Sequence, residues 1–188
     1  MPESSLPLEA PAPRVSPPAA APLDGDAAAK SARRGDQPDG QLDVVIIGGG
    51  IHGVHLAARF VGEVGLVPER LVIVDPGPSL LERWRTFTAV TGMIHLRSPG
   101  VHNIDVEPFS LIKDAGRRSR RPRGVLFPPY DLPALDFFNQ HCLGVIERHG
   151  LADRHLRGLA VEITPQSDHV RVGLDDGRSL EARRVVLA

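Results

Sequence analysis

Leu42-Asp43-Val44-Val45-Ile46-Ile47-Gly48-Gly49-Gly50-Ile51-His52-Gly53 decides the fold of this chain. A β-branched apolar run is followed by glycines spaced G-x-G-x-x-G and then by the start of a helical pattern. That order describes a buried strand, a tight turn and a helix N-terminus. Its physical use is to hold the pyrophosphate of a dinucleotide. Gly48 permits the sharp turn, Gly50 lets the backbone come close to the phosphates, and Gly53 lets the helix pack tightly on the strand. The first helical turn supplies N–H groups and about half a positive charge, so an anion is favoured there.

A bare glycine pattern is weak, and its surroundings give it weight. Ile51, Val54, Ala58 and Val61 recur at roughly helical spacing, with small Ala57 four residues past Gly53. The next apolar run, Leu71-Val72-Ile73-Val74, ends in Asp75, where a nucleotide-binding unit places its ribose-binding acid. The separation is at the long end of the usual roughly twenty residues, which an extra helical turn or a loop absorbs.

The chain has 188 residues, 41% hydrophobic, with a formal net charge of -1. That suffices for one sizeable domain, and the near-neutral balance gives no reason to expect nucleic acid or a membrane as partner. One cysteine, Cys142, excludes an internal disulfide framework and a cysteine metal cluster; no metal site is expected. No apolar run approaches the roughly 20 residues that cross a bilayer. The amino terminus lacks the order of a secretory signal, and a cytoplasmic location is expected.

Residues 1–40 form a Pro/Ala-rich tail with almost nothing large and apolar to bury, and are expected to be disordered. Residues 41–188 form the dinucleotide-binding domain. Asp75-Pro76-Gly77-Pro78 is a loop, and Ser79 reads as the N-cap of a short helix Leu80–Trp84 with Glu82 at the capping-box position. Trp84 either lies against a flat ring or closes the end of a small core; the sequence leaves both open. Thr91–Pro99 is an extended segment leaving the sheet, in which Arg97 and Ser98 are either ligand donors or plain surface residues. Lys113–Gly124 is strongly basic and reads as a solvated loop. A helix follows, with Asp131 as N-cap, Pro133 in its first turn, an apolar stripe of Leu135, Phe138, Cys142, Val145 and Ile146, and a stop at Gly150. The remainder is β-rich. Leu159–Ile163 and Val170–Leu174 alternate, Asp176-Gly177 marks a hairpin, Ser179–Ala182 pairs back, and Arg183–Ala188 begins another buried strand.

Together these residues resemble the amino-terminal part of a two-dinucleotide-domain FAD-dependent oxidoreductase. The resemblance is to the flavin monooxygenase group, including proteins related to lysine and ornithine N-hydroxylases. It covers residues 42–188. It rests on Gly48-x-Gly50-x-x-Gly53-x-x-x-Ala57, on Asp75 where most of the group carries Glu, and on the hairpin Asp176-Gly177 followed by Arg184-Val185-Val186-Leu187-Ala188. The fold it implies is α/β, a Rossmann-like βαβ FAD-binding domain with an inserted antiparallel β-hairpin region. In the group, a glycine turn and a second fingerprint domain for NAD(P)H come next, so the sequence reads as an incomplete, amino-terminal portion. The resemblance implies FAD as cofactor, NAD(P)H as co-substrate of the complete enzyme and a small-molecule substrate. Gly48, Gly50, Ile51, His52 and Gly53 would surround the pyrophosphate, and Asp75 would meet the adenosine ribose. The segment holding Met93, Leu96, Arg97 and Ser98 would approach the isoalloxazine. No catalytic residue can be named, and the oligomeric state stays open. Two alternatives remain: an NAD-binding dehydrogenase, although Tyr130 has no lysine placed after it for that chemistry, or a non-catalytic nucleotide-binding module.

Overall fold

A computed structural model describes residues 42–117 and 125–188; the Pro/Ala-rich tail and the basic residues 118–124 lie outside the described residues, as does the side chain of Arg117. The β-branched run forms strand β1 (Leu42–Ile47), the glycines form the turn, and helix α1 (Ile51–Gly62) follows. Strand β2 (Leu71–Asp75) lies parallel to β1, with Val44 opposite Leu71 and Ile47 opposite Val74. Helices α2 (Glu82–Val90) and α3 (Ser110–Arg117), the short strands β3 (Leu126–Phe127) and β4 (Leu132–Pro133), and helix α4 (Leu135–Arg148) come next. The chain then returns to the sheet with β5 (His155–Arg157), β6 (Ala160–Pro165), β7 (Val170–Leu174) and β8 (Ser179–Leu187). The main sheet runs β5-β2-β1-β8-β7-β6, with β5, β2, β1 and β8 parallel and β7 and β6 antiparallel.

Strand periodicity assigns the two faces of β1 and β2 to different cores. Val44, Ile46, Leu71 and Ile73 meet Val54, Ala57 and Ala58 of α1 and Phe138, Cys142, Val145 and Ile146 of α4. Val45 and Val74 point the other way and pack with Val172, Leu174, Leu180 and Ala182 of the antiparallel strands. A strand buried on both faces has no polar position to spare, hence the unbroken Val44-Val45-Ile46-Ile47 run. Each fully buried branched aliphatic here contributes about 1.5–3 kcal/mol. Among the described residues, no helix is long and apolar enough to cross a membrane.

The closing segment differs from the expectation of a hairpin arm and a separate buried strand. Residues 179–182 pair antiparallel with β7, and the same strand continues from Ala182 to Leu187 parallel to β1. The antiparallel region is therefore continuous with the parallel sheet. The Asp-Gly turn is as expected, with Gly177 at φ 87 and its N–H donating to Leu174 O at 3.1 Å.

Three helix boundaries also differ. Ser79 does not cap α2; its hydroxyl donates to Glu82 Oε2 at 3.1 Å, and the N-cap is Leu81 at φ 63. The reason is tertiary, because the Leu81 N–H is drawn to Gly49 O at 2.7 Å. Asp131 and Pro133 do not start α4: Leu132-Pro133 pairs with Leu126-Phe127, and Asp131 sits at φ 52 between the two strands. The first part of the basic run, Lys113–Arg117, completes α3, because Leu111 and Ala115 give that helix a buried edge. Trp84 closes a core: its Nε1–H donates to Asn139 Oδ1 at 2.9 Å and its ring meets Phe138 edge-on at 5.8 Å, joining α2 to α4.

Candidate functional site

Strand register places the carboxyl ends of four parallel strands side by side. Ile47 is opposite both Val74 and Leu187, and Asp75 is opposite Arg157. Beyond those ends lies an open cleft of about 500 Å³ lined by Ile47, Gly48, Val74, Asp75, Pro76, Gly77, Glu82, Arg83, Gly158, Leu159, Ala160 and Ala188. Ligands of parallel sheets bind at this edge, because helices and loops diverge there and leave a crevice.

Each fingerprint glycine has its own physical reason. Gly48 turns at φ 115 and donates its N–H to Val74 O at 2.8 Å; a Cβ there would stand 2.4 Å from Ala188 O. A Cβ on Gly53 would fall 1.8 Å from Gly48 O, so the first turn of α1 touches the loop backbone directly. Gly50 is the opposite case, since a Cβ there would meet nothing within 4 Å. That space is what a ligand group approaching the backbone would occupy. Gly50 is the N-cap of α1 in extended conformation, no side chain caps the helix, and its first turn holds no acid. The positive end of α1 therefore faces the turn with no acid in its own first turn, the nearby carboxylate being that of Asp75 on the Gly49 N–H. Ile51 is half-buried and His52 exposed on that same first turn.

Asp75 ends β2 with its carboxylate engaged. Oδ2 accepts from Gly49 N–H at 2.7 Å and Oδ1 from Gly77 N–H at 2.8 Å. Gly49 O in turn accepts the Leu81 N–H. Beside it, Arg85 is held by Glu82 Oε2 at 2.8 Å and by Ser79 Oγ, while Arg83 is exposed at the cleft.

The second group of sequence candidates lies elsewhere. Leu96 is buried at 5% in the helix-side core and donates its N–H to Pro133 O at 2.8 Å. Arg97 is exposed and Ser98 half-buried, and neither lines the cleft. Gly50, Ile51, His52 and Gly53 sit beside the cleft without lining it, whereas Gly77, Arg83, Gly158 and Leu159 line it without being singled out by sequence pattern. Gly77 had a local signal in Pro76-Gly77-Pro78; Gly158 and Leu159 reach the cleft only because β5 runs beside β2.

A separate polar cluster sits between α3 and α4. His141 Nδ1–H donates to Asp114 Oδ2 at 2.8 Å, and His141 Nε2 lies 3.3 Å from Ser110 Oγ. Acid, histidine and serine in that order invite comparison with a nucleophilic triad. Ser110 is, however, buried and away from the cleft, and the cluster ties two helices together. Cys142 is likewise no nucleophile, since burial pushes its thiol up to about 12.

No protein-family model matches the chain, and no curated protein matches it. Solved structures do. A polycyclic ketone monooxygenase from the thermophilic fungus Thermothelomyces thermophila is similar over 87% of this chain and 25% of its own, at 20% identity and a TM-score of 0.56. A cyclohexanone monooxygenase variant from Rhodococcus sp. Phi1 is similar over 78% of this chain and 26% of its own, at 17% identity and a TM-score of 0.52. A bacillithiol disulfide reductase from Staphylococcus aureus is similar over 79% and 38%, at 16% identity and a TM-score of 0.51. The chain thus spans between 25% and 38% of the length of these structures. The likeness establishes the FAD/NAD(P)-binding fold, the fold of FAD-dependent oxidoreductases.

Proposed function

We propose that this chain binds FAD through the β1–α1 turn and contributes the flavin-binding part of a monooxygenase-like oxidoreductase that draws electrons from NAD(P)H. The observation that carries the reading is the empty space at Gly50 in front of an uncapped helix N-terminus. A pyrophosphate needs close backbone approach and N–H donors, and open space at Gly50 beside the uncapped first turn of α1 supports both. The cleft runs from Gly48 to Asp75, Pro76 and Leu159, which would give an adenosine a polar end and an apolar wall. When bound, a flavin supplies hydride transfer and reaction with oxygen; the chain's own part is to bind, orient and exclude water. A small-molecule substrate and the reducing cytoplasm, which suits a single buried thiol, belong to the same proposal.

Titration of the purified chain with FAD tests it. Quenching of flavin fluorescence with a saturable curve, and a rise in melting temperature with FAD, are the expected results. A colourless protein unmoved by FAD, yet enhancing NADH fluorescence, would overturn the flavin reading in favour of an NAD-binding dehydrogenase.

A further inference from the structure

The geometry points to Asp75 as a positioning residue that sets the phosphate-facing backbone of the glycine turn, beyond any contact with a ribose; this rests on the reading of the turn as a dinucleotide cradle. Peptide planes carry the argument, because each trans peptide points its N–H and C=O in opposite directions. In the Gly48–Gly49 peptide, the N–H is drawn to Asp75 Oδ2 at 2.7 Å. The Gly48 carbonyl is thereby turned the other way, onto α1, where it stands 1.8 Å from the site of a Cβ on Gly53. In the Gly49–Gly50 peptide, the carbonyl accepts the Leu81 N–H at 2.7 Å, so the Gly50 N–H is aimed away from that bond. Both backbone groups of Gly49 are thus fixed by the β2–α2 loop, and Asp75 is the charged member of that clamp.

The sequence around Asp75 is fitted to this inward posture. A Cβ on Gly49 would stand 2.9 Å from Asp75 Cβ and 3.1 Å from its Cγ. One on Gly77 would stand 2.9 Å from Asp75 Oδ1. Two glycines outside the G-x-G-x-x-G pattern therefore make room for one short carboxylate. The Leu81 cap, at φ 63, holds a conformation that branched side chains avoid, and its N–H bond to Gly49 is what it gains. The arrangement places ligand recognition by Asp75 at the phosphates, through Gly49, as well as at the sugar.

Ligand truncation separates these roles. ADP and adenosine are titrated into the full chain and into Asp75→Asn, whose amide keeps the size of the carboxylate but replaces one acceptor oxygen with a donor. Loss of a charge-assisted bond that shapes the turn predicts that ADP affinity falls about tenfold while adenosine affinity changes less than about twofold. Equal losses for both ligands would overturn the inference and leave Asp75 as a ribose contact only. Gly77→Ala gives a second reading that keeps the carboxylate but displaces it, and the same bias against ADP is expected; an unbiased Gly77→Ala overturns the inference even if Asp75→Asn fails to fold. A wild-type chain that binds neither ADP nor FAD would instead remove the dinucleotide reading itself.

Discussion

The glycine turn and the α3–α4 corner both satisfy polar groups at element ends, and they do so by opposite means. At the turn, backbone meets backbone: Gly48 N–H reaches Val74 O, Leu81 N–H reaches Gly49 O, and Asp75 is the one side chain that joins. At the corner, side chains do nearly everything. His141 bridges Asp114 and Ser110, Ser110 reaches Asn103, and buried Asp105 takes Arg148 at 2.6 Å. The difference concerns purpose. On the proposed reading, a surface that leaves N–H groups and empty space for a ligand cannot fill them with its own side chains, whereas a contact between two helices can.

Four substitutions separate the two regions further. Gly53→Ala should have the largest effect, more than about 4 kcal/mol in a urea melt, because backbone lies 1.8 Å from the new Cβ and cannot yield as a side chain would. His141→Ala should cost about 2–4 kcal/mol by the same measurement, since it opens a cavity and removes the bonds of His141 to Ser110 and Asp114, yet FAD affinity should hold. A loss of FAD affinity there would show that the corner and the turn are coupled.

Asp105→Asn should cost less, about 1–2 kcal/mol, because Arg148 is half in solvent. Burial pushes the Asp105 carboxyl up, but the Arg148 guanidinium and the Val106 N–H outweigh it and hold the group below the usual carboxylate range. A lowered folded-state value means that this stabilisation is present at neutral pH and is lost as pH falls through the carboxylate range. Melts from about pH 7 to pH 3 should therefore show a shallower acid decline in Asp105→Asn than in the native chain. Gly50→Ala should have the smallest effect on stability, within about 0.5 kcal/mol, while weakening FAD binding, since the new methyl occupies ligand space only. A change in stability without a change in binding would sink the assignment of that space.

The same contrast explains what the sequence revealed. The turn was legible because its needs are local, and at Gly48 and Gly53 glycine alone meets them. The two-faced burial of β1 was legible from Val44-Val45-Ile46-Ile47. The corner was invisible, since His141 is far in the chain from Asn103, Ser110 and Asp114 and none of the four has a motif. Strand β5 escaped because His155-Leu156-Arg157 carries one apolar residue and is recruited by pairing with β2. The caps at Ser79 and Asp131 failed for a related reason: local capping chemistry was present, but Leu81 and Leu132-Pro133 were claimed by partners elsewhere. At the site, the fingerprint glycines and Asp75 stood out, whereas Gly158 and Leu159 depend on topology.

The shared strand β8 also bears on how the molecule comes into being. Ribosomal synthesis delivers β1 first among the described strands and β8 last, yet the two are neighbours at the centre of the sheet. Until β8 emerges, one hydrogen-bonding edge of Val44-Val45-Ile46-Ile47 stands open, an uncharged β-branched run of the kind that pairs with other chains. Such distant pairing is slow to form. That edge therefore stays unprotected until β8 has been made, and chaperone binding to it should raise the soluble yield.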